Sequence, residues 1–269
     1  MKKLINSLEL FYYKFLRHAF KIQINKLITK HKIYKNKEHQ RFVKELKDNG
    51  YCIIEDFLNL DECEKIKNII DEYIKNNKNK VWKAENNDSD FRLFGAEKIH
   101  NLINKYFKDE NILNIGNLYL KSPIECVYTL AGKTSLVKQK NLGSGGGWHR
   151  DSIHPCYKSM LYLSDVESED GSLQLINNSN NFKSLIEVNT QINKKLLDTR
   201  FENKEIEILK KKFDLIVSNI TGKAGTLVLF DGSYIHRGSP IINKTRYALT
   251  NYFYFNIDRN RIKYPSPMV

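Results

Sequence analysis

Residues 145–152 read GGGWHRDS, which places a histidine and an aspartate two positions apart directly after a run of glycines. In an extended strand, residues i and i+2 point to the same face. His149 and Asp151 would then project side by side, one offering an imidazole nitrogen and the other a carboxylate oxygen. Two such ligands are two-thirds of a facial metal site, provided a second histidine arrives from elsewhere in the chain.

The chain has seven histidines. His18, His31, His39 and His100 sit among charged residues on segments of helical periodicity, where a solvated face accounts for them. His154 follows Asp151 by three positions and reads either as a lining residue of the same cavity or as a turn residue before Pro155. His236 differs from these. It lies in AGTLVLFDGSYIHRGSP (224–240), where an apolar strand at 226–230 runs into a turn and then a strand that presents the histidine. Ten residues later Arg246 opens RYALTNYFYF, an alternating strand in which a lone charge needs an anionic partner. A guanidinium suits a carboxylate, which it grips through two parallel hydrogen bonds.

Positioning such a site takes a strand-rich scaffold. Short strands are predicted at 124–131, 134–141, 147–153, 157–163, 172–176, 226–230 and 246–255, separated by Gly, Asn and Ser turns, which favours a barrel or sandwich. Upstream, residues 39–74 read as helix, turn at Asn49-Gly50, strand at 51–55, and a helix that Asp61 can cap. Residues 76–90 are polar and loop-like. Residues 183–217 are expected to form a mainly helical insertion. The Gly143–Gly147 run reads as a mobile gate or as a bulge that aims the following strand.

Composition bounds the rest. With 269 residues, 41% hydrophobic and 12% aromatic, the chain can bury a sizeable core and is too apolar for disorder. The net charge of +13 is uneven: residues 1–37 hold ten Lys or Arg against Glu9 alone, 10 − 1 = +9, leaving 13 − 9 = +4 for the remainder. Two parts follow from this reading, a basic amphipathic segment at 1–37 and a strand-rich domain at 38–269. Within the first, Leu4, Leu8, Phe11, Phe15, Ala19 and Ile22 recur at helical spacing. That stripe either lies on an anionic membrane or packs on the domain. No basic–aromatic surface follows it, so nucleic acid is not an expected partner. The four cysteines form no CxxC pair and read as reduced thiols. No apolar run approaches the length of a membrane span and no signal peptide is recognisable, so the expected location is cytoplasmic, with the inner membrane face as a candidate contact.

His-x-Asp, a distant His, and Arg ten residues beyond form a specific constellation. It resembles the phytanoyl-CoA dioxygenase family of Fe(II)/2-oxoglutarate oxygenases over roughly residues 45–256. GYCIIEDFLNLDECEKIKNII resembles that family's opening strand and helix, WHRDS its first metal motif, and GTLVLFDGSYIHRGSP with TRYALTNYF its closing motif. The resemblance implies a mainly β fold with flanking helices around a double-stranded β-helix (jelly-roll, cupin-like) core. It implies Fe(II) held by His149, Asp151 and His236, with 2-oxoglutarate and O2 as cosubstrates. Arg246 would take the distal carboxylate of 2-oxoglutarate. Where the family often has Pro-Gly-Ser-His, this chain reads Asn177-Asn178-Ser179-Asn180, and Ala248 replaces a common hydroxyl residue, for which Thr250 on the same face is the candidate substitute. The retained carboxylate ligand implies hydroxylation of a C–H bond, since related halogenases lack it. The substrate class stays open between a small metabolite and a surface-glycan or lipid-linked precursor. Arg92 reads as an anion contact or an ordinary salt-bridge residue, and Trp148 as pocket lining or core packing. The rival from another class is a cupin-like metal-binding or sensing domain without catalysis, which would have no use for a buried Arg246.

Overall fold

The computed structural model of the chain describes residues 2–29, 35–78, 81–83, 89–136, 146–195, 197–213, 215–242 and 244–269. Residues 143–145 of the glycine run and 137–141 of an expected strand lie outside them.

Helix α3 (Lys37–Asn49) is the third in chain order after Lys2–Phe11 and His18–Ile28. The Asn36 side chain caps its start by accepting from the His39 N–H at 2.6 Å. Gly50 stops it in the left-handed region (φ 86°), donating back to the Leu46 carbonyl. Strand β1 (Tyr51–Ile54) follows, then α4 (Leu60–Asn76). The residue capping α4 is Asn59, whose side chain accepts from the Glu62 N–H, rather than the expected Asp61. His39 is buried instead of solvated, because α3 turns it inward beside Phe42 and Leu46. His100 caps helix Asn101–Phe107.

Among the described residues, ten antiparallel strands form two sheets. The larger runs β1, β8 (Leu227–Asp231), β5 (Tyr157–Tyr162), β10 (Arg246–Phe255), β4 (Ile124–Thr134), β3 (Asp90–Phe94) and β2 (Trp82–Lys83). The smaller runs β7 (Val217–Ile220), β6 (Leu173–Ile176) and β9 (His236–Gly238). Alternation assigns the faces. On β10, Tyr247, Leu249 and Phe253 join the main core under the helices, while Ala248 joins a second cluster. That second cluster also takes Tyr162, Val228 and Phe230 from the large sheet and Leu173, Leu175 and Ile220 from the small one. The sheets therefore face each other across it, which is the double-stranded β-helix arrangement expected. Each fully buried Leu or Ile in such a core contributes about 1.5–3 kcal/mol of burial free energy.

Three local expectations are corrected. Residues 147–153 form no strand; only isolated bridges tie His149 to His236 and to Arg200. Residues 82–94 hold β2 and β3, since DFRLF pairs along its length with β4 despite its polar surroundings. The helical stretch is divided into Phe182–Gln191 and Asn203–Phe213, with an extended passage between them that pairs with 148–150: Arg150 donates to Thr199 O and Phe201 to Trp148 O. Non-local pairing, invisible in local propensity, decides all three.

Contacts cross the boundary expected at residue 37. Asn25 is fully buried and donates to Ser122 Oγ (2.9 Å) and Pro123 O (2.6 Å), and accepts from the Ile257 N–H (3.1 Å). Ile22 packs against the main core. The four cysteines are free. Among the described residues, no helix is long and apolar enough to cross a membrane.

Candidate metal centre

Backbone pairing fixes the centre. The His149 N–H donates to His236 O (2.9 Å) and the His236 N–H to His149 O (2.7 Å), a reciprocal bridge between residues 87 apart (236 − 149). The Asp151 N–H donates to Gly232 O at 2.8 Å. A side-chain Cβ at Gly232 would overlap the Asp151 carboxylate, so the Asp-Gly-Ser turn requires glycine by close approach. Asp231, fully buried, orders that turn: Oδ1 accepts from the Cys156 and Ser233 N–H groups, and Oδ2 from the Tyr119 hydroxyl. The turn at 177–180 buttresses the approach to His236. Asn178 adopts φ 59°, Ser179 Oγ accepts from the Ile235 N–H at 2.7 Å, and Asn180 Nδ2 donates to Ser233 Oγ at 3.1 Å. Asparagine tolerates that left-handed position better than most residues, so it serves where the resembling family has glycine.

Ligand atoms of His149, Asp151 and His236 all lie within 4.8 Å of one another. His149 Nε2 is 4.0 Å from Asp151 Oδ1, and His236 Nε2 is 3.6 Å from Oδ2. Each histidine turns Nδ1 to a backbone carbonyl at 2.8 Å, His149 to Gly147 O and His236 to Tyr234 O. A carbonyl only accepts, so Nδ1 carries the proton and donates, and Nε2 keeps its lone pair toward the centre. Burial pushes the His149 pKa down to about 3, with the neighbouring His236 adding to the effect, and burial also lowers that of His236. Both rings are therefore neutral at neutral pH. For Asp151, burial alone would raise the pKa. The Lys158 ammonium outweighs it and holds the carboxyl at about 2. Two neutral imidazoles and one carboxylate fit a divalent iron-type ion with open positions on the opposite side.

Lys158 was not legible as a site residue. It is an inward position of β5, with Nζ 2.8 Å from Asp151 Oδ2 and 4.3 Å from the centroid of Tyr252. A lysine inside the otherwise apolar strand YKSMLY, buried along nearly its whole length, is the available signal. Tyr252 in turn stacks on Tyr128 at 4.6 Å.

The other expected residues separate. Arg246 lies on the inward side of β10 with Ala248 and Thr250; its Nη1 donates to Gly171 O, and its Nε is buried with no hydrogen-bond partner. Burial lowers its pKa. An unsatisfied buried guanidinium atom suits a carboxylate-bearing ligand. Thr250 is buried between Leu130 and Met160 in the register. Arg92 forms the salt-bridge alternative, gripping Asp90 with Nη2 at 2.7 Å and Nε at 3.1 Å, and lies close enough to Arg246 to repel it. Trp148 packs with Phe201, Ile206, Leu209 and Ile235, a cluster containing none of the three candidate ligands, and Arg237 lies over its ring at 4.3 Å. It walls a hollow of about 310 Å³ with Gln174, Asn203 and Arg237, which none of the three candidate ligands lines. His154 stacks on His18 at 4.8 Å, which places it under the N-terminal helix. Arg150, between two candidate ligands, is buried; its guanidinium has no hydrogen-bond partner and lies over the Phe201 ring at 5.1 Å.

Comparison with known proteins comes to the same fold. The family model for phytanoyl-CoA dioxygenase (PhyH) matches residues 46–246. No curated protein matches the chain by sequence. Among solved structures, the epimerase SnoN in complex with Fe3+, alpha ketoglutarate and nogalamycin RO is similar with a TM-score of 0.57 at 12% identity, covering 80% of this chain and 83% of that one. HygX from Streptomyces hygroscopicus, solved with nickel and 2-oxoglutarate bound, has a TM-score of 0.56 at 11% identity, covering 82% and 87%. The alpha ketoglutarate-dependent carbocyclase SnoK from nogalamycin biosynthesis has a TM-score of 0.57 at 13% identity, covering 87% and 94%.

Proposed function

The chain belongs to the phytanoyl-CoA dioxygenase family, and from that premise we propose that it is an Fe(II)- and 2-oxoglutarate-dependent dioxygenase that hydroxylates a C–H bond of a small molecule. The observation that carries this reading is the coexistence of the His149–Asp151–His236 cluster with Arg246, whose buried Nε has no partner. Iron, 2-oxoglutarate and dioxygen together supply the oxidising power that removes hydrogen from an unactivated carbon, the keto acid leaving as succinate and CO2.

The chain's own groups do the positioning. His149 and His236 offer Nε2 lone pairs because their Nδ1 protons are committed to carbonyls. Asp151 supplies the negative ligand, and Lys158 fixes one of its oxygens. Arg246 binds the distal carboxylate of the keto acid, and Thr250 lies two residues beyond Ala248 on the same side to contact it. The stacked Tyr128 and Tyr252 rings form an apolar wall next to Lys158 and keep water from that side. SnoN and HygX carry nogalamycin RO and hygromycin B in their structures, which supports a small-molecule substrate.

A non-catalytic, cupin-like metal-binding domain would share the ligands but gain nothing from an uncompensated Arg246. The discriminating experiment is succinate release from 2-oxoglutarate with Fe(II) and ascorbate across a metabolite panel, with isotopic O2 to locate the new oxygen. Substrate-stimulated succinate with labelled hydroxyl product is expected. Metal binding with no succinate under any condition would favour the binding domain, and succinate without labelled product would move the reading toward epimerisation or ring closure.

A further inference from the structure

We propose that the N-terminal helix docks the protein on an anionic lipid surface through a face that the fold leaves uncovered. Of the seventeen exposed large apolar side chains among the described residues, nine belong to residues 5–28. Leu8, Phe20 and Leu27 are the most open of these, at 63%, 68% and 82% exposure. The opposite side of the same helix is occupied. Tyr13 packs on Ile153, Leu185 and Ile186, His18 stacks on His154, Lys21 pairs with Asp258 at 2.5 Å, and Asn25 is sealed in its hydrogen bonds. The apolar face is therefore not needed for docking on the domain.

A π-helical turn over Tyr12–Arg17 aligns that face. At about 100° per residue, Leu8 and Phe20 would stand about 120° apart on a regular helix, and Leu8 and Leu27 about 100° apart. A π turn accommodates one extra residue. Counting it out brings the first pair to about 20° and the second to about 0°. One stripe then runs from Leu8 through Tyr12 and Leu16 to Phe20 and Leu27, all exposed. A helix with an apolar face of aromatics and leucines and a basic remainder lies in a membrane interface.

Charge selects the occupant. Residues 1–37 carry ten basic residues against Glu9, 10 − 1 = +9. A second copy of this chain on the same face would bring two such segments together, whereas an anionic headgroup layer attracts them.

The test uses the full chain with vesicles of phosphatidylglycerol and phosphatidylcholine, and of phosphatidylcholine alone, at low and high salt. Sedimentation with the anionic vesicles only, weakened by salt, is expected. Phe20→Glu combined with Leu27→Glu should lower the bound fraction about tenfold or more, with an unchanged melting temperature because both side chains are already in solvent. Absence of binding to anionic vesicles, or equal binding by the double variant, overturns the proposal. So does a doubled mass by light scattering that the double variant returns to a monomer, which would assign the face to a second copy.

Discussion

The Lys158 ammonium stands 2.8 Å from Asp151 Oδ2, on the same carboxylate that His149 and His236 face. A buried cation thus neutralises the carboxylate that a metal would also claim. Its own pKa is pulled down by burial and raised further by Asp151, for a net upward shift, so it stays charged across the physiological range. Lys158→Met should destabilise the metal-free protein by about 1–3 kcal/mol, less than a fully buried pair because the Asp151 side chain keeps 25% of its surface exposed. Metal then becomes the only cation for Asp151, so the gap in melting temperature between metal-free and metal-loaded protein should widen. An unchanged gap would show that the ammonium does not compete with metal.

The ligand set is tested by metal titration. His149→Ala and His236→Ala should each abolish stoichiometric Fe(II) binding, while His100→Ala should leave it intact, because His100 serves a helix cap. Asp151→Ala should end product formation even where residual metal is retained. Full affinity in both histidine variants would remove the assignment.

Gly232 offers a test that touches no ligand. Its Cβ position lies on the Asp151 carboxylate, so Gly232→Ala must displace that side chain. Metal affinity should fall about 10–100-fold, the range for residues that orient ligands, with the far-ultraviolet circular dichroism unchanged. Wild-type affinity would mean that the carboxylate rotates away at no cost or does not ligate.

Arg246→Leu removes one partner of a charge-assisted contact and should cost about 2–5 kcal/mol of 2-oxoglutarate binding. Iron affinity should hold, since Arg246 approaches Gly171 and belongs to no ligand cluster. A 2-oxoglutarate KM that does not move defeats the assignment.

Metal-free protein should lose stability on acidification from about pH 6.5. The unfolded chain takes up protons on His149 and His236 near that pH, whereas burial holds the folded His149 at about 3 and lowers His236 as well. More protons on the unfolded state means that stability falls as pH falls, at most by about 1.4 kcal/mol per pH unit for each histidine. Asp151, held at about 2, adds a further loss below about pH 4. Urea midpoints at pH 7 and pH 5 measure the slope, and His149→Gln should flatten it.

The candidate ligand set and most of the scaffold were legible in local pattern. The i, i+2 spacing of His149 and Asp151, the strand–turn–strand around His236 and the alternation of RYALTNYFYF all depend on local pattern, and β10 spans the residues 246–255 that alternation predicted. Only the tertiary structure decided what meets what. His149 and Asp151 are aligned by backbone bonds to His236 and Gly232, distant partners, in place of a strand of their own. Lys158 reaches Asp151 because β5 lies beside β8 and β10. Trp148 turns into the cluster built from the helix Asn203–Phe213, which no spacing near residue 148 announces. The N-terminal helix is both packed and open, one side sealed by Asn25 and the other bare at Phe20 and Leu27, because a π turn re-phases a stripe that a regular helix would scatter. Local periodicity records which residues share a face; long-range hydrogen bonds and packing decide what that face is turned toward.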